Sequence, residues 1–86
     1  MSINSIKRIL HNYWLGDLDM DVTLNGRDAI VHKLSRRGSF LVESDRQRVE
    51  VISVKEKYAQ DEEGNIEADV YQGGFKYVIR LTHPED

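Results

Sequence analysis

The chain has 86 residues, a formal net charge of −3, 31% charged and 40% hydrophobic residues, and no cysteine. That length holds one compact domain and excludes a multidomain enzyme. The missing cysteines exclude a disulfide framework, a thiolate zinc site and a cysteine nucleophile, as expected of a chain in a reducing, cytoplasmic setting.

The first ten residues contain no basic leader running into an apolar stretch and a small-residue cleavage site, so no signal peptide is expected. Uninterrupted apolar runs are far shorter than the roughly 20 residues a membrane-spanning helix takes, and no membrane partner is expected. Ile3, Ile6, Leu10 and Tyr13 follow the 3-4-3 spacing of one helical face, which Ile9 and Trp14 widen. With Ser2 as N-cap and Gly16 as the terminating glycine, this predicts an amphipathic helix over 3–15.

From residue 17 the apolar period changes to two, predicting a half-buried strand over 18–24. Asn25-Gly26 is the strongest two-residue signal for a type I′ hairpin turn, because both central residues must take positive φ. Further strands are expected over 28–34, 39–43, 49–58, 66–72 and 75–81, separated by polar or glycine-rich turns, with 82–86 as a flexible tail. The sum is an α+β domain: one N-terminal helix followed by a five- or six-stranded antiparallel meander, in a curled sheet or small open barrel.

Motifs that would carry chemistry fail on geometry or spacing. Asp17, Asp19 and Asp21 fall on alternate strand positions, about 6.5–7 Å apart, and diverge as a row where a hard cation wants oxygens converging on a point. The stretch from Asp61 to Gln72 has Ile66 where a calcium loop needs glycine and Gln72 where it needs glutamate. His11, His32 and His83 lack zinc-site spacing, and no serine-nucleophile elbow or phosphate-cradling glycine loop occurs. Tyr13 and Trp14 read as core anchors. No metal, cofactor or enzymatic activity is expected.

Charge is the informative asymmetry. From Arg27 to Arg48 the chain carries Arg27, Lys33, Arg36, Arg37, Arg46 and Arg48 against Asp28, Glu43 and Asp45, a local balance of +3, whereas from Lys55 to Asp86 the balance is −4. Three binding readings follow. The first is a non-enzymatic module that engages a protein partner or itself through its sheet surface or edge. The second is a small nucleic-acid binder with Lys33, Arg36, Arg37, Arg46 and Arg48 on phosphates. The third is an acidic inhibitor or immunity-type protein, with Asp17, Asp19, Asp21, Asp61, Glu62, Glu63, Glu67 and Asp69 facing a basic partner.

Overall fold

A computed structural model of the chain describes residues 5–35, 38–52 and 57–84. Helix α1 spans Ile6–Leu15. Its first residue falls later than the spacing suggests because Ser5 is extended (φ −81°, ψ 156°) and forms a backbone bridge to Lys57, which takes it out of the helix. Ser2, the expected N-cap, lies outside the described residues. At the other end Gly16 takes φ 88°, its N–H donates to the Tyr13 carbonyl at 3.0 Å and that of Asp17 donates to Asn12 at 3.0 Å, the paired closure of a Schellman motif.

Eight short strands follow: β1 Asp21–Leu24, β2 Arg27–Asp28, β3 Ile30–Lys33, β4 Phe40–Glu43, β5 Arg48–Val51, β6 Tyr58–Gln60, β7 Ile66–Gln72 and β8 Phe75–Thr82. They form two antiparallel sheets, one of five strands in the order β2-β1-β8-β7-β6 and one of three in the order β3-β4-β5. The architecture is α+β, and the sheets do not close into a barrel.

The expected meander holds within β3–β5 and β6–β8, but the first strand lies beside the last. Two of the expected strands also divide between the sheets. The stretch 28–34 contributes Asp28 to the larger sheet and Ile30–Lys33 to the smaller, turning at half-buried Ala29, whose N–H still bonds the Val22 carbonyl at 3.0 Å. The stretch 49–58 likewise supplies β5 to one sheet and the start of β6 to the other, with 53–56 outside the described residues. Strands that change sheet at a bend are how two packed sheets share corners. Thr82, expected in the tail, is the last residue of β8 and pairs with Asp21.

The inner faces meet in one core. Val22, Leu24, Ala68, Val70, Ile79 and Leu81 come from the larger sheet, Phe40, Val42, Val49 and Val51 from the smaller, and Ile6 and Leu10 from α1, which packs on β3 and β4. Full burial of such side chains contributes about 1.5–3 kcal/mol each. Tyr13 packs against this core as expected, but Trp14 lies 45% exposed, because Ile6, Leu10 and Tyr13 already fill the inward stripe.

The β1–β2 turn is the predicted hairpin, with Asn25 at φ 50° and Gly26 at φ 84°. Asn25 also lengthens the β1–β8 ladder. Its N–H donates to the Val78 carbonyl and its Oδ1 accepts from the Val78 N–H, both at 2.8 Å, while Nδ2 donates to Gln47 of the β4–β5 turn at 3.0 Å. One side chain thus joins the two sheets.

Candidate functional site

Strand register fixes which side chains share the outward face of the five-stranded sheet. Thr23 stands between Asp28 and Arg80, Arg80 opposite Glu67, Asp21 opposite Thr82, Val78 opposite Asp69 and Lys76 opposite Tyr71. Alternation puts Asp21, Asp28, Glu67 and Asp69 all outward, and all four are exposed. Three cations share this face: Arg80, Lys76 toward the Gly73-Gly74 turn, and, by alternation, Lys57 at the edge.

Of the acidic residues only Glu67 is neutralised in place, by Arg80 Nε at 2.9 Å; among the described residues Asp21, Asp28, Glu63 and Asp69 form no ion pair. Arg80 is committed to Glu67, directly opposite it, while Asp28 stands two strands away, about 9–10 Å across the sheet.

The face is concave where the β6–β7 turn rises over it. Asp21, Asp28 and Glu63 line a groove of about 690 Å³ together with Thr23, Asn65, Thr82 and His83. A second hollow of about 490 Å³, lined by Gln60, Glu67 and Arg80, adjoins it through Asn65 and Thr82. Among the described residues no three His, Asp or Glu side chains converge to hold a metal ion.

The turn that shapes the groove is held by Asp61. Its Oδ1 accepts from the N–H groups of Glu63 at 2.9 Å and Asn65 at 2.8 Å, and its Oδ2 accepts from Asn65 Nδ2 at 3.2 Å. The Asn65 backbone bond above all, with the Asn65 side chain and the Glu63 and Gly64 backbone adding, holds this carboxyl below the usual aspartate range. Asn65 Oδ1 then accepts from His83 N–H at 3.1 Å, tying the segment after β8 to the turn. Gly64 takes φ 89°, a left-handed conformation that favours glycine, and a Cβ there would stand 2.9 Å from Nε2 of the exposed His83 ring, which would have to shift.

The acidic residues anticipated from sequence therefore divide. Asp21, Glu63, Glu67 and Asp69 share the face or its groove, while Asp61 is engaged in building the turn and Glu62 is exposed beside it. Asp17 and Asp19 lie exposed between α1 and β1, so they do not continue a row with Asp21; the Schellman closure delays the strand until residue 21. Asp28 is the residue the sequence reading left out. A two-residue Asn25-Gly26 turn sets Leu24 against Arg27 and Thr23 against Asp28, which would have placed it.

The anticipated basic set does not converge. Lys33 pairs with Phe40 at one end of β4, whereas Arg48 pairs with Glu43 at the other, about 10 Å away along the strand, with Arg46 in the turn between β4 and β5. Arg48 is also drawn to Glu43, 3.8 Å from its Nε. Lys33 sits over the Trp14 ring, its Nζ 4.8 Å from the centroid. Arg36 and Arg37 lie outside the described residues.

No helix among the described residues is long and apolar enough to cross a membrane. Comparison with protein-family models, with curated proteins and with solved structures gives no match to this chain.

Proposed function

We propose that this protein is a small non-enzymatic interaction module that engages a basic protein partner through the outward face of its five-stranded sheet. The observation that carries this reading is the gathering of Asp21, Asp28 and Glu63 around one groove, with Asp69 further along the same sheet face, and no ion pair to neutralise any of them among the described residues. Exposed carboxylates of this kind steer a cationic partner during encounter and fix its register, more than they add affinity one by one.

The sheet face is a better binding surface than the sheet edges. The larger sheet ends in strands of two and three residues, β2 and β6, which offer little backbone to an added strand. On β5, the Glu50 N–H is already bonded to Gln72 Oε1 at 2.8 Å. A basic partner on the face fits both the acidic-module reading and the more general protein-binding one, with a cytoplasmic setting as the working premise.

Calorimetric titration with an arginine-rich peptide at low and moderate salt tests the proposal. We expect saturable binding that weakens with salt, and an affinity loss of about 2–5-fold for each of Asp21→Asn, Asp28→Asn and Asp69→Asn, the scale of one solvated contact charge. Unchanged affinity in the triple variant would overturn the assignment of this face.

A further inference from the structure

The pole that carries α1 and the β3–β4 hairpin differs from the acidic face in both charge and shape. A groove of about 320 Å³ runs between them, lined by Lys7, Arg8, His11, Gly38 and Phe40 together with Ser5, and no carboxylate lines it among the described residues. Its wall is aromatic. The His11 ring meets Phe40 edge-on at 6.1 Å and stacks toward Trp14 at 6.4 Å, so the three rings form a continuous row. Lys33 caps the far end over Trp14, giving three cations along the row with Lys7 and Arg8.

Trp14 explains why this row looks like a binding surface. The inward stripe of α1 is already filled, yet the chain places its single tryptophan 45% exposed beside a groove that is mostly apolar and rimmed by cations. Flat rings flanked by point positive charges suit a ligand with flat bases joined by phosphates, because stacking and phosphate contact act on alternate parts of the same chain. An acidic peptide would use the cations and leave the rings idle.

We propose that this groove binds single-stranded nucleic acid, with a base against the Trp14–His11 row and neighbouring phosphates at Lys7, Arg8 and Lys33. Of the basic residues singled out from sequence, the described part of the site includes Lys33; Arg46 and Arg48 lie at the other end of β4, and Arg36 and Arg37 lie outside the described residues.

Because Trp14 is the only tryptophan, its fluorescence reports on the site itself. A labelled deoxythymidine oligonucleotide should gain anisotropy on titration with the protein and quench Trp14 over the same concentration range. Three phosphate contacts give a slope of about −2 in log K against log salt, so affinity should fall roughly 100-fold between about 20 and 200 mM salt. Lys33→Ala should reduce that fall to roughly 25–30-fold. Trp14→Leu, at an exposed position, should weaken binding about 5–10-fold by anisotropy, the loss of one stacked base, while circular dichroism stays unchanged. The double variant Asp28→Asn/Asp69→Asn should leave the quenching in place, which separates this site from the acidic face. Any of three results would overturn the proposal: no anisotropy change at low salt, binding that leaves Trp14 fluorescence unaltered, or equal quenching by a polyglutamate peptide.

Discussion

The two sheets turn very different faces to solvent, although both are built from strands that alternate apolar and charged residues. On the three-stranded sheet Glu43 lies between His32 at 3.5 Å and Arg48 at 3.8 Å, and Glu50 accepts a hydrogen bond from the Ser39 hydroxyl at 3.1 Å. On the five-stranded sheet Glu67 alone of the outward carboxylates has an ion partner among the described residues. What separates them is register. Cross-strand pairing sets Glu43 directly opposite Arg48, while it sets Asp28 opposite Thr23, Asp21 opposite Thr82 and Asp69 opposite Val78. Register therefore gives one surface whose Glu43 is ion-paired and another whose Asp21, Asp28 and Asp69 form no ion pair among the described residues.

Both faces rest on one shared core, and the largest expected effects test that. Phe40→Ala in the smaller sheet should cost about 3–5 kcal/mol, and Leu24→Ala in the larger about 2–5 kcal/mol, each read from denaturant unfolding. Both variants should still unfold in a single transition; two separate transitions would show the sheets to be independent. Next in size is Asn25→Ala, which removes the side-chain bonds to Val78 and Gln47 and leaves alanine at φ 50°, for a loss of about 1–2 kcal/mol in the same measurement.

Neutralising charge should separate the faces. Glu43→Gln should leave cationic-peptide affinity within about twofold, and it should change stability by less than about 1 kcal/mol, as for other exposed pairs. Arg80→Gln, in contrast, frees Glu67 and should tighten peptide binding about 2–5-fold, on the scale of one solvated charge contact. The smallest effect concerns Asp61. Its folded-state pKa is lowered, so its contribution to stability is complete above the ordinary aspartate value of about 3.9 and fades as pH falls through the lower folded value. Acidification from pH 5 should then lower the amide protection factors of Glu63 and Asn65 only at the acid end, and Asp61→Ala should lower them at neutral pH.

Much of this fold is written locally in the chain. The helical stripe of Ile6, Leu10 and Tyr13, the Asn25-Gly26 turn and the paired runs at 66–72 and 75–81 each depend on neighbours within a few residues, and each forms where the local pattern puts it, β8 running one residue further to Thr82. The changes of sheet at Ala29 and after Val51 depend on how two inner faces meet, and so does the pairing of β1 with β8 across the whole chain. No local spacing encodes those. The same division runs through the candidate sites. Glu67, Asp69 and Asp21 are identifiable as acidic strand residues, but that Glu63 and Asp28 share a groove with Asp21 follows only from β1 lying beside β8. The separation of Lys33 from Arg48 was hidden for the same reason, because a run of basic residues in sequence says nothing about which end of a strand each occupies.

The most direct test is a map of backbone amide shifts in a ¹⁵N-labelled sample titrated with an arginine-rich peptide at low salt. We expect the moving amides to belong to β1, β2, β7, β8 and the β6–β7 turn, centred on Asp21, Asp28, Glu63 and Asp69, while the three-stranded sheet stays still. Shifts centred instead on Ile30, His32, Glu43 and Glu50 would contradict it, as would a peptide that moves nothing.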